Sequence, residues 1–99
     1  MRYSSAISAC EKGRKWELAV ELFNQMRRNG IYPNVITYSS AILACAKCDK
    51  PEIARDLFLK MDVQRDLVSY NAVIFSCEKD WPMAMKFFKE MEEESIEDV

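Results

Sequence analysis

The most reactive side chains in this sequence are four cysteines, and two of them, Cys45 and Cys48, have the C-x-x-C spacing of half a zinc site or of a redox pair. Histidine is absent. There is then no imidazole for general-base work, no glycine-rich phosphate loop, and no His-x-Glu with paired cysteines such as a zinc deaminase needs. No catalytic residue, metal or cofactor is expected. Cys10, Cys45 and Cys77 recur at one equivalent point of a repeated pattern, which would hold neighbours about one helix spacing, roughly 8–10 Å, apart. That is too far to share one metal. Three thiols acting as small buried hydrophobes are expected instead, kept reduced in an interior compartment.

The pattern that carries the cysteines is a repeat, and repeats decide architecture before any other signal. Tyr3-Ser-Ser-Ala-Ile-Ser-Ala-Cys-Glu-Lys12 returns as Tyr38-Ser-Ser-Ala-Ile-Leu-Ala-Cys-Ala-Lys47 and as Tyr70-Asn-Ala-Val-Ile-Phe-Ser-Cys-Glu-Lys79, at offsets of 35 and 32 residues. In each copy Tyr, Ala or Val, Ile and Cys fall at steps of three and four, which is one face of an α-helix. A second segment does the same with Leu18, Ala19, Leu22, Phe23 and Met26, then Ile53, Ala54, Leu57, Phe58 and Met61, then Met83, Ala84, Phe87, Phe88 and Met91. Each copy therefore predicts two amphipathic helices. Gly13, Cys48-Asp49 and Asp80 fall between the paired helices, and Asn29-Gly30 with Pro33 separates the first two repeats. Pro51 and Pro82 stand where a second helix should begin, a place where the missing N–H costs nothing.

A hairpin this short cannot bury its own apolar face, so the copies must stack, and the Met and aromatic stripes are expected to be core. Two irregularities stand out. The connection leaving repeat two is three residues shorter than the one leaving repeat one, and Cys77 to Ala84 is two residues shorter than its counterparts. Either the turn at Asp80 is contracted or a helix end is lost.

Composition fits a folded chain: 49% hydrophobic and 30% charged residues. No apolar run approaches a bilayer span, so no membrane is expected as a partner. Net charge is −2, which argues against simple polyanion attraction. Five acids and no base lie in 92–99, however, so residues 1–91 hold fourteen bases against eleven acids. An acidic tail masks a mildly basic body.

The segments Asn34-Val-Ile-Thr-Tyr-Ser-Ser-Ala-Ile42, Ala54-Arg-Asp-Leu-Phe-Leu-Lys-Met61 and Gly30-Ile-Tyr-Pro-Asn34 closely resemble pentatricopeptide repeats. Repeat length alone would also admit tetratricopeptide repeats, but their Trp/Leu-Gly/Tyr signature is absent. The resemblance covers essentially the whole chain. It implies an all-α, right-handed superhelical α-solenoid, with repeat one at 1–34, repeat two at 35–66 and a degenerate repeat three at 67–99. It further implies binding of single-stranded RNA at one base per repeat, as an organelle-type processing or stability factor of mitochondrion or plastid.

By the same resemblance the base-reading pairs are Ser4 with Asn34, Ser39 with Asp66, and Asn71 with Val99, although Val99 has no hydrogen-bonding group. Met1, Ile36 and Val68 would sandwich the bases, and Lys12, Lys47 and Lys79 would meet phosphates. The implied preference is 5′-A-G-pyrimidine-3′. Unaided chemistry agrees that hydroxyl, amide and carboxylate present different donor and acceptor patterns to a base edge, and that evenly spaced lysines follow an extended backbone. Simpler roles stand beside these: Asn34 and Asp66 as helix N-caps, Ser4 and Ser39 as solvated first-turn residues, the lysines as partners of helix dipoles. A protein-interaction scaffold using the helical groove is the competing class. The chain is expected to be a piece of a longer array, or a short member that self-associates through its exposed end faces.

Overall fold

Four of the helix starts in this chain are written by a short polar residue or by proline. The computed structural model describes residues 2–61 and 65–94, and among them the chain forms α1 (Arg2–Lys12), α2 (Trp16–Arg28), α3 (Val35–Lys47), α4 (Pro51–Lys60), α5 (Leu67–Ser76) and α6 (Trp81–Glu93). Asn34 caps α3 by accepting from the Thr37 amide at 2.9 Å. Asp66 caps α5 with a reciprocal box, its carboxylate accepting from the Ser69 amide while its own amide donates to the Ser69 hydroxyl. Pro51 and Pro82 sit in the first turns of α4 and α6, as their position in the sequence predicts.

Three connections close on a residue in the left-handed region. Arg14 (φ 56°), Gly30 (φ 75°) and Asp49 (φ 60°) each let the next amide bond the carbonyl five residues back: Lys15 to Cys10, Ile31 to Met26, Lys50 to Cys45. Gly30 is the residue suited to this geometry, and Asp tolerates it. In the first turn the left-handed position falls on Arg14 and not on the neighbouring Gly13.

The third turn differs because α5 is shorter. It ends at Ser76, with Cys77 as its C-cap, whereas α3 runs on to Lys47, three residues further in register. The turn itself, 77–80, is longer by one residue than 13–15 and 48–50. The missing residues therefore come from the helix end and not from the turn.

Each pair packs on itself, and the Tyr-led helices also pack side by side, α1 on α3 and α3 on α5. Among the described residues no Cα of α2, α4 or α6 comes within 8 Å of another helix of that row. One row touches and the other is splayed, so the array curves toward the touching row. This places α1, α3 and α5 on the concave side.

The junctions are aromatic. Phe23 meets Tyr38 edge-on at 5.0 Å, and its counterpart Phe58 meets Tyr70 at 4.9 Å and Phe87 at 5.3 Å. Ile7, Ala19, Ala41, Ile42, Ala54 and Val73 are fully buried around them. Cys10, Cys45 and Cys77 are buried and free, and burial pushes the Cys45 thiol up to about 12. A thiol so raised is a poor nucleophile, in keeping with a packing role for Cys45. Two residues of the expected core are not covered: Leu18 is 49% exposed and Phe88 39%. Both have buried or half-buried counterparts in repeat two, but each lies on an end of the array that no described helix covers.

Candidate nucleic-acid interface

Along the concave face of α3, residues 36, 39, 40 and 43 fall at helical steps of three and four, and they line a cleft that α5 closes from one side. The cleft holds about 230 Å³ and is lined by Ile36, Ser39, Ser40 and Leu43 with Asp66, Val68 and Glu11. That is below the usual size of a drug-sized pocket and suits one flat ring system. Its walls are apolar, since Ile36 (62% exposed) and Val68 (48% exposed) project from the first turns of adjacent helices. Polar atoms converge between them: the Ser39 hydroxyl donates to Asp66 Oδ1 at 3.1 Å.

The preceding junction repeats the plan more openly. Ser4, Ser5, Ser8, Ala9 and Lys12 of α1 line it with Ile36. Here the polar residues meet through a third. Asn34 Oδ1 accepts from the Thr37 amide and from the Thr37 hydroxyl, both at 2.9 Å, and the Thr37 oxygen lies 3.0 Å from Ser4 Oγ. Thr37 has one hydroxyl proton and gives it to Asn34, so Ser4 must be the donor to Thr37. The order is Ser4 to Thr37 to Asn34.

The structure thus brings Ser39 to Asp66 directly, and Ser4 to Asn34 through Thr37. Asn71 is exposed on α5. Its expected partner Val99, like Met1, lies outside the described residues. The lysines are less uniform than their recurrence suggests. Lys12 ends α1, exposed; Lys47 ends α3, half-buried and ion-paired with Glu11; Lys79 lies beyond the end of α5 in the turn, 3.7 Å from Asp49. The alternative expectation that each of the three partners the dipole of the helix it ends is therefore corrected at Lys79, because α5 loses its last turn.

Sequence reasoning missed Thr37 and Glu11. The signal for Thr37 was its place three residues after a capping Asn, where a hydroxyl can reach back. For Glu11 it was a carboxylate next to Lys12 at a position where repeat two has Ala46.

Antiparallel helix pairs stacked so that one row bears a recurring polar cleft define an α-solenoid of helical-hairpin repeats. The profile of the PPR repeat family matches residues 2–47, and that of the single PPR repeat matches 36–64 and again 68–96. The chain belongs to the pentatricopeptide repeat family. Among solved structures it is similar to the PPR domain of Arabidopsis thaliana protein-only RNase P 1, determined in complex with tRNA. The TM-score is 0.60 at 20% identity, covering 94% of this chain and 70% of that one. This likeness shows the shared fold. No curated protein matches the chain.

Proposed function

We propose that this chain binds single-stranded RNA along its concave face, one base to each inter-repeat cleft. The observation that carries the reading is the cleft itself, in which Ser39 and Asp66 meet at hydrogen-bonding distance between the apolar walls Ile36 and Val68. A base slotted there would stack on aliphatic carbon and offer its edge to a hydroxyl and a carboxylate. Membership of the family supports the same reading, as does the fold shared with a PPR domain solved with tRNA. A role in organellar RNA processing or stability, in mitochondrion or plastid, is supported by family resemblance alone.

Binding to a randomised single-stranded RNA pool, followed through a salt titration, tests the proposal. Weak, salt-sensitive retention is expected, because few bases are read and lysines supply the backbone contacts. Replacing both Ile36 and Val68 with Ala, which removes the walls from an exposed surface, should cost binding at least tenfold with little change in the thermal midpoint. If no RNA is held at low salt, the reading is wrong.

One feature favours a second, protein-binding role. Trp81, Met85 and Phe88 are exposed along α6 at the positions that Trp16, Val20 and Phe23 hold on α2. On α2 that face is covered by repeat two, with Tyr38 against Phe23 and the Lys50 ammonium 5.2 Å above Trp16. A second copy stacked end to end, or a partner protein, would cover it in the same way. Sedimentation at rising concentration, with Phe88→Glu as the variant that should abolish any association, tests this role.

A further inference from the structure

Among the described residues Glu11 is the one charged side chain that is buried, 8% exposed, and nothing in helix chemistry explains its burial. It lies near the end of α1, where the dipole disfavours a carboxylate. Its partner is across the repeat junction: Glu11 Oε2 accepts from Lys47 Nζ, the last residue of α3. The same carboxylate borders the cleft formed by Ile36, Ser39, Asp66 and Val68. Among the described residues nothing equivalent occurs at the next junction: the position of Glu11 is taken by Ala46, and Lys79 reaches only the exposed Asp49.

Lys47 thus enters any encounter with RNA already neutralised. A phosphate approaching its ammonium must either displace Glu11, leaving a nearly buried carboxylate without its cation, or sit beside that carboxylate and meet like charge. We propose that Glu11 is an affinity-setting residue of the RNA interface, an internal counter-ion that holds Lys47 in the free protein and must release it before the strand is gripped at the second repeat. The proposal rests on the RNA-binding reading above. It deepens that reading by separating the three lysines: Lys47 is withheld from the backbone by its own protein.

The experiment compares wild type with Glu11→Gln, Lys47→Gln, the double variant and Glu78→Gln, each titrated with one single-stranded RNA oligonucleotide at several salt concentrations. Glutamine keeps the volume of Glu11 and removes its charge. Glu11→Gln should bind several-fold more tightly than wild type at low salt. Its plot of log K against log salt should steepen by about 0.7, the increment for one more phosphate neutralised on a single strand. In the Lys47→Gln background the same change should give neither gain. Glu78→Gln removes an equal charge from an exposed site with no lysine held, and should leave the slope unchanged.

Thermal midpoints control for folding. Should Glu11→Gln unfold, Glu11→Ala replaces it, because Ala46 shows that this register accepts alanine. An unchanged affinity and slope in Glu11→Gln overturns the proposal. So does an equal gain with Lys47 absent, which would reduce Glu11 to one more negative charge. In both cases RNA binding by the wild type still stands. Loss of RNA binding in every protein, wild type included, would instead remove the RNA reading and this inference with it.

Discussion

Asn34 Oδ1 takes two protons, from the Thr37 amide and the Thr37 hydroxyl, and this leaves Nδ2 outside the cap, on an exposed residue. Asp66 uses Oδ1 in the same way, for the Ser69 amide and the Ser39 hydroxyl, and has no proton to give. One cap can therefore offer a donor to a base edge and the other only acceptors. Exchanging Asn34 for Asp should leave the thermal midpoint unchanged, since both are good N-caps and the Oδ1 bonds survive. The preferred base at that position should move from adenine toward guanine, by about 1 kcal/mol if one hydrogen bond decides it. Binding to RNAs that differ only at that base measures the shift. An unmoved preference at unchanged stability would leave Asn34 a cap and nothing more. The caps were legible in sequence because Asn or Asp before an apolar-periodic run has few other meanings. The route from Ser4 to Asn34 was not, because Thr37 and Ser4 lie 33 residues apart and only the stacking of α1 on α3 makes them neighbours.

Apolar steps of three and four gave the six described helices, since each repeat states the same apolar face again. They did not give helix ends. Cys77 keeps the register of Cys10 and Cys45, yet it caps α5 where Cys10 and Cys45 lie within helices, because backbone hydrogen bonding and not side-chain period decides where a helix stops. Nor did periodicity show which face a neighbour covers, and so Leu18 and Phe88 read as core and are exposed. Turn chemistry was half legible: Gly30, read as part of the break between repeats, takes a left-handed position there, but in the first turn Arg14 does, one residue past Gly13. A side chain with a Cβ in that conformation costs roughly 1–2 kcal/mol. Arg14→Gly should relieve it, offset in part by the greater freedom of glycine in the unfolded chain, for a net gain of about 0.5–1 kcal/mol. The thermal midpoint should rise by several degrees for a domain of this size. The Arg14 side chain is exposed and its carbonyl accepts from Cys48 Sγ whatever the side chain, so a fall in the midpoint would show that the guanidinium itself is needed.

At the scale of the molecule, the proposed encounter between the clefts and an RNA strand turns on charge. Residues 92–99 set the net charge at −2 over a body that is mildly basic. α6 ends among acids with no base in its last turn, so Glu92 and Glu93 also oppose the helix dipole there. Glu94 differs from them. It lies near the buried Tyr70 hydroxyl, whose pKa is raised first by burial and then by that carboxylate, with Arg65 pulling the other way. Changing Glu92, Glu93 and Glu97 to Gln and Asp98 to Asn, while sparing Glu94, takes the net charge from −2 to +2 without touching that contact. RNA binding should then strengthen at low salt, because negative charge that repels a phosphate backbone is removed, and the gain should fade as salt rises and the screening length falls to about 10 Å at 0.1 M and 3 Å at 1 M. The thermal midpoint should rise slightly at low salt through the relieved dipole. Both effects are electrostatic and should fade together as salt rises. A gain in RNA affinity that persists at high salt would mean that the tail blocks the concave face by contact. Equal affinity at low salt would mean that it lies too far from the strand to matter, and that the basic body, not the net charge, governs the encounter.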